Sequence, residues 1–277
     1  MKSKTSLFIF GVLSLFSLLT ACGGTSNNEN FTNNPPTTKN WYKPTPSTTW
    51  QWQLSKTVNT SYAVDIYDID LFHSSKSLIQ KIQSNNSKVI CYFSSGSFEK
   101  GRDDETDFKA KELGKVLVDW PDERWLDIRS TNVRDIMKAR LELAKQKGCD
   151  GVEPDNMDGY DNNSGFPLTA NDQLNFNRFI AKESHARGLS VGLKNDLGQI
   201  TELVDDFDFA VNEECFEFNE CNTLKPFIDQ GKAVLNAEYK QTYINNPTPI
   251  CNQSINLQFS TLLLPLDLDD SFRHSCL

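Results

Sequence analysis

Histidine is scarce in this sequence. His73, His185 and His274 are the only three in 277 residues, and no two stand at metal-ligand spacing. No pair of cysteines has the CxxC spacing, so a structural zinc has no pattern to rest on, and neither a metal nor a cofactor is expected. Basic charge is in deficit: 28 lysines and arginines face 37 aspartates and glutamates, a net charge of −9. That balance argues against a nucleic-acid partner and leaves a neutral or cationic ligand easier to accommodate. A GxGxxG and a P-loop are both missing, which weakens a nucleotide-binding fold. No repeat at solenoid spacing is visible.

The N-terminus carries a different signal. Lys2 and Lys4 precede an apolar run from Leu7 to Leu19, too short for a transmembrane helix and shaped like a secretory leader. The run closes on Leu19-Thr20-Ala21-Cys22-Gly23, which resembles a bacterial lipobox with Cys22 as the lipidated residue. Residues 1–21 are expected to be the leader. Residues 22–40, rich in Gly, Ser, Asn, Thr and Pro, cannot bury enough surface to offset their ordering entropy and are expected to be a flexible tether. A secreted lipoprotein anchored to a membrane follows, and the lack of Asp after Cys22 leans towards an outer membrane or cell surface. Losing Lys2 and Lys4 with the leader leaves 26 basic and 37 acidic residues, a net charge of −11.

Residues 41–277 form one domain of a length typical of a single (β/α)8 barrel, expected as a monomer. Six cysteines follow Cys22, and export makes disulfides plausible. Cys215 and Cys221 flank one loop, and Cys251 and Cys276 could pin the C-terminal tail. Cys91 and Cys149 lie in or beside buried strands and read as small apolar core thiols.

Eight strands are predicted at Trp50–Leu54, Ala63–Ile69, Val89–Ser94, Gly151–Pro154, Ser190–Leu193, Phe207–Asn212, Ala233–Ala237 and Phe259–Leu264. Several are short apolar runs, as parallel strands buried on both faces require. Between them lie helical patterns. Ser74–Asn86 is one. Val133 to Ala144 is another, with the Arg140 stem over apolar surface and Gly148 as the stop. Thr169 to Asp172 opens a third as a capping box, and Thr223–Gln230 is a shorter fourth. Alternation of this kind argues for right-handed βαβ units and a closed TIM barrel.

In such barrels the active site lies at the C-terminal ends of the strands. Here those ends read Asp68 and Asp70, Tyr92 to Gly96, Glu153-Pro154-Asp155-Asn156, Lys194-Asn195-Asp196, Asn212-Glu213-Glu214 and Glu238-Tyr239. Hydrolysis at an acetal carbon needs two facing carboxyl groups, and the fourth and sixth strands can supply them. Aromatic residues should line the sugar subsites; Trp50, Trp52, Tyr92, Trp125, Tyr160, Phe216 and Tyr239 are in or after strand exits.

These residues carry a resemblance. Trp50-Gln-Trp-Gln-Leu54, Val64 to Asp70, Val89 to Gly96, Gly148 to Tyr160 with its Gly-Val-Glu-Pro-Asp-Asn, Gly192-Leu-Lys-Asn195 and Asn212-Glu-Glu-Cys-Phe-Glu-Phe218 are similar to glycoside hydrolase family 114, from about Trp50 onward. The resemblance implies a (β/α)8 barrel that cleaves α-1,4-linked galactosamine polymers internally, with an Asp on strand four and a Glu on strand six as the catalytic pair. Carried over, these are Asp155 and Glu213. Glu153 shares the parity of Asp155, and Glu214 is adjacent to Glu213. Asp155 is expected as nucleophile and Glu213 as acid/base in a retaining reaction, with the two roles exchangeable. Trp52, Asp68, Tyr92, Glu153, Asn156, Lys194, Asn195, Glu238 and Tyr239 are expected to bind substrate. A deacetylated polymer is cationic, and its attraction to an acidic rim should weaken with salt. The alternatives are a non-catalytic glycan-binding lipoprotein and a glycosidase of another polysaccharide. A metal-dependent phosphodiesterase barrel is disfavoured by the charge and the scarcity of histidine.

Overall fold

The computed structural model describes residues 40–277. The expected leader, the lipidation site Cys22 and all of the expected tether but its last residue lie outside the described residues. Among the described residues no helix is long and apolar enough to cross a membrane.

In chain order the elements are β1 (Trp50–Gln53), β2 (Ile66–Asp70), α1 (Lys76–Gln83), β3 (Lys88–Ser94), β4 (Ser97–Glu99), β5 (Leu113–Val116), β6 (Glu123–Leu126), α2 (Thr131–Lys147), β7 (Gly151–Asp155) and α3 (Ala170–Ala186). They continue with β8 (Ser190–Lys194), α4 (Ile200–Leu203), β9 (Phe209–Glu213), α5 (Lys225–Asp229), β10 (Val234–Glu238), α6 (Gln241–Asn245), α7 (Thr248–Asn256), β11 (Ser260–Leu263) and β12 (His274–Ser275). Strands β1, β2, β3, β7, β8, β9, β10 and β11 pair in parallel in that order and form the wall of a (β/α)8 barrel. The first and last of these meet through side chains and the C-terminal segment. The Trp50 indole N–H donates to Ser260 O at 2.8 Å, Arg273 donates to Trp50 O at 2.7 Å, and β12 adds antiparallel to β11.

Strand parity divides the core in two. Trp50, Trp52, Ile66, Ile90, Phe209, Val211, Leu235 and Leu262 fill the barrel interior. Tyr67, Ile69, Val89, Cys91, Phe93, Val152, Val191 and Leu193 face the helices. The interior is crowded enough to demand glycine: a Cβ on Gly192 would stand 2.6 Å from the Phe209 ring. Local chemistry ends the helices as expected. Thr169 and Asp172 cap α3 reciprocally, and α2 stops at Gly148, whose φ of 92° suits a residue without Cβ.

One expectation needs correction, and two features go beyond what was expected. Cys91 and Cys149 are not free core thiols but a disulfide with Cα atoms 6.1 Å apart, because outward parity on β3 turns Cys91 towards the bend before β7. Cys215–Cys221 and Cys251–Cys276 are bonded as expected. Arg140 does more than cover apolar surface: it is 1% exposed, pairs with Asp104 at 2.8 Å and donates to Ser94 O at 2.6 Å. It thereby fastens an unanticipated insertion between β3 and α2, in which β4, β6 and β5 form a small antiparallel sheet over the barrel rim.

Candidate active site

The terminal residues of β7, β8 and β9 are Asp155, Lys194 and Glu213. All three share inward parity, and each is followed by a residue in the left-handed region: Asn156 at φ 58°, Asn195 at 48° and Glu214 at 60°. Such a turn swings the chain outward while the residue before it stays aimed over the barrel mouth. Asn accommodates this conformation readily; Glu214 does so at a cost of order 1–2 kcal/mol. Gly96 makes room for the first turn, since a Cβ there would meet Asn156 O at 1.8 Å.

Lys194 stands at the centre. Its ammonium, 2% exposed, lies 3.1 Å from Asp155 Oδ1, 3.1 Å from Glu213 Oε2 and 3.2 Å from Glu153 Oε1. The Trp52 ring centroid is 4.9 Å away. Burial by itself lowers the lysine pKa, but Asp155, Glu213 and Glu153 outweigh it and hold the group well above its ordinary range. A second donor reaches each of Asp155 and Glu213. Tyr92 donates to Asp155 Oδ2 at 3.0 Å, and Tyr239 donates to Glu213 Oε1 at 2.5 Å. The Asn156 backbone N–H adds a third bond to Asp155 at 2.7 Å, and Asn195 holds the Glu213 backbone N–H at 3.0 Å. Burial drives both tyrosines well above their usual pKa, followed by the facing carboxylates, so each remains a donor.

Beneath Lys194, Asp68 and Glu153 are fully buried and in contact. No N–H or O–H donor reaches either oxygen of Asp68. Burial, then the charge of Glu153, pushes Asp68 well above the carboxylate range, and burial pushes Glu153 up to about 7 against the pull of Lys194. Burial and mutual repulsion thus both favour the neutral forms of this pair, against the pull of Lys194 on Glu153.

Three adjoining cavities of 680, 240 and 210 Å³ meet at Glu213. Eight acidic side chains line the largest, and it has no lysine or arginine in its wall. Of the residues expected to bind substrate, Trp52, Tyr92, Asn156, Lys194, Asn195 and Tyr239 line these cavities. Asp68, Glu153 and Glu238 do not, being fully buried, and give way to supporting roles. Glu238 Oε1 accepts from the Phe216 N–H at 2.9 Å and steadies the loop after Glu213. Among the aromatics, Trp125 and Tyr160 line the cleft, whereas Trp50 closes the barrel and Phe216 lies outside these cavities. Glu214 belongs to the wall of the largest cavity, while Glu213 reaches Lys194. Trp120, on the insertion, was missed by sequence reasoning and lines all three cavities at 48% exposure. Asp196, which stands at the exit of the fifth strand but was given no role, and Asp158, within the Gly148 to Tyr160 block, also line the largest cavity. Among the described residues no group of three or more His, Cys, Asp or Glu is arranged to hold a metal ion.

The chain matches the model of glycoside-hydrolase family GH114 over residues 32–277. It belongs to family GH114. The Ega3 protein of Aspergillus fumigatus, solved in complex with galactosamine, is 41% identical with a TM-score of 0.80, over 85% of this chain and 97% of that one. The glycoside hydrolase domain of PelA from Pseudomonas aeruginosa shares the fold, with a TM-score of 0.66 at 12% identity over 80% of this chain and 96% of that one. No curated protein sequence matches. A GH114 member is a glycoside hydrolase, and two carboxylates at a barrel mouth are the groups such chemistry requires.

Proposed function

We propose that this GH114 enzyme hydrolyses α-1,4-linked galactosamine polymers internally, by retention, with Asp155 as nucleophile and Glu213 as acid/base. The observation that carries the reading is the ammonium of Lys194 between the two carboxylates. Each nearer oxygen lies 3.1 Å from the same nitrogen, so these oxygens are at most twice that distance apart. That bound admits the separation of roughly 5–5.5 Å at which retaining enzymes work.

In the first half-reaction Asp155 Oδ attacks the anomeric carbon, the glycosidic C–O bond breaks, and Glu213 gives its proton to the leaving oxygen. In the second, Glu213 takes a proton from water, whose oxygen displaces Asp155 from the anomeric carbon. Three donors, from Tyr92, the Asn156 backbone and Lys194, hold Asp155 in a fixed orientation. Glu213, with its side chain 27% exposed against 18% for Asp155, is the better placed to meet solvent and leaving group.

A polymer of free amines suits a cavity walled by eight carboxyl groups, and galactosamine is the sugar held by the 41% identical Ega3. A trough of adjoining cavities suits cleavage within a chain. The same reading makes the protein an exported, monomeric lipoprotein anchored through Cys22. Trp41 bonds Asp208 at 2.8 Å, and Pro44 O accepts from Ala233, at the starts of β9 and β10. The described chain thus enters the barrel at the end opposite the site.

The test is incubation of purified protein with galactosamine polymer, its N-acetylated form and unrelated glycans, beside folded Asp155→Asn and Glu213→Gln variants. Cleavage of the deacetylated polymer alone, lost in both variants, is expected. Products from another glycan only would overturn the substrate, and active variants would overturn the pair.

A further inference from the structure

The three cavities do not share the two proposed catalytic carboxylates equally. Glu213 lines all of them, whereas Asp155 and Lys194 line only the two smaller ones. The difference gives the cleft a direction. A nucleophile bonds to the anomeric carbon of the sugar that stays behind, and the acid/base protonates the oxygen that leaves with the rest of the chain. With the roles proposed above, the retained sugar sits against Asp155, in the cavities of 240 and 210 Å³. The cavity of 680 Å³ reaches Glu213 without Asp155, so it belongs to the part of the chain that leaves.

The walls of the largest cavity carry a second, independent signal. Among the described residues eight large apolar side chains stand exposed, and single ones scattered over a surface need no explanation. Three of them are not scattered: Trp120 at 48%, Phe218 at 64% and Leu266 at 56% all line this one cavity. They arrive from three separate segments: the insertion, the loop after β9 and the stretch between β11 and β12. The Phe218 loop is closed by the Cys215–Cys221 bond. It is closed again by the Glu220 N–H, which donates to Cys215 O at 2.8 Å, and by the Phe218 N–H, which donates to Glu214 O at 3.0 Å. A loop tied in this way keeps its ring exposed in one place. Exposed apolar surface is unfavourable until a ligand covers it, and the C–H faces of pyranose rings are the apolar surface that a polysaccharide offers.

Building on the function proposed above, we infer that the largest cavity is the leaving-group half of the cleft, where Trp120, Phe218 and Leu266 form an apolar shelf for sugar rings, so that the polymer lies with its reducing end towards Phe218 and its non-reducing side in the smaller cavities. Trp120 and Leu266 also line the cavity of 240 Å³, which puts them where the two halves meet. Phe218 lines the largest cavity alone and belongs wholly to the leaving-group half. That half is the roomier one, so more sugars bind on the reducing side of the cut than on the other.

The test uses the full chain and galactosamine oligomers of defined length, reduced with borodeuteride so that the former reducing end carries a mass label. Mass spectrometry of early products tells the two fragments apart. Labelled fragments from wild type should be longer than unlabelled ones. In Phe218→Ala the cut should move towards the labelled end, and KM for long oligomers should rise roughly two- to tenfold, the order of one aromatic contact. Trp120→Ala, which borders both halves, should raise KM while moving the cut less. Ile255→Ala, a comparably exposed apolar residue on α7 outside these cavities, should change neither. Shorter labelled fragments from wild type, or a cut unmoved in Phe218→Ala, would overturn the direction. Azide added to Glu213→Ala and Asp155→Ala tests the underlying roles separately. The α-azide is expected from the Glu213 variant; from the Asp155 variant instead, it would exchange the roles and overturn the direction with them. Longer labelled fragments from another glycan support the direction and overturn only the substrate proposed above.

Discussion

Tyr239 donates its hydroxyl to one oxygen of Glu213 at 2.5 Å, and Lys194 occupies the other at 3.1 Å. Tyr92 and Lys194 divide Asp155 in the same way, at 3.0 and 3.1 Å. Each of the two carboxylates proposed as catalytic is thus oriented by a buried phenol on one side and by one shared cation on the other.

Removing a phenol should therefore cost turnover more than binding. A hydrogen bond to a charged group contributes about 1.5–3 kcal/mol, which converts to roughly ten- to more than a hundredfold in rate. Tyr239→Phe and Tyr92→Phe are each expected to lower kcat by about that factor with KM within threefold. Steady-state kinetics on a soluble oligomer check this, beside thermal melts showing both variants folded.

Lys194→Met should unfold more easily. It leaves Glu153, Asp155 and Glu213 around an apolar side chain with no cation between them. Removing one partner from a buried ion pair costs about 3–5 kcal/mol. The deficit should shrink on acidification, because protonating the stranded carboxylates relieves their repulsion. Urea titrations of wild type and variant at pH 5 and pH 8 measure the difference; an equal deficit at both pH values would contradict the arrangement.

Stability should fall as pH rises through neutrality. Burial first of all pushes Glu123, Glu153 and Glu238 up to about 7, and Asp196 up to about 8. Unfolded, such groups titrate near ~4. The folded state therefore binds more protons between those limits. Its stability is fully present below pH ~4 as far as these groups are concerned, and is lost as pH climbs through 7 to 8. Melting temperatures recorded from pH 5 to 8.5 should decline, and Glu238→Gln should decline less steeply.

The bond between Cys91 and Cys149 closes a segment of 58 residues. By the chain-entropy relation its removal costs about 4 kcal/mol. Replacing both cysteines with alanine should lower the unfolding free energy measured by urea titration by that much while leaving kcat near wild type at 25 °C, since the staple lies among the helix-facing residues and not in the cleft.

Much of this site was legible in the sequence because it follows from strand parity and strand ends. Asp155, Lys194 and Glu213 close three successive strands, and Asn156 and Asn195 stand where a left-handed turn needs them. The (β/α)8 wall was legible for the same reason: short buried runs recur with helical stretches between them. What was not legible depends on contacts between distant segments. Nothing local in Cys91 or Cys149 distinguishes a core thiol from a bonded one. The strands of the insertion have three or four residues each, too few for a period to show, so Trp120 seemed to stand on an ordinary loop. Asp68 and Glu153 looked like rim residues because alternation tells inward from outward but not depth; one turn lower in the barrel, they support Lys194 and do not touch the cleft.

The central claim is that a single ammonium holds Asp155 and Glu213 close enough for direct attack on an α-linked sugar. Proton NMR during the first minutes of hydrolysis of a galactosamine oligomer, before mutarotation, reports the anomer released. The α-anomer is the expected first product, equilibrating later with β. A β-anomer appearing first would mean that water attacks across a wider gap, and would contradict the account.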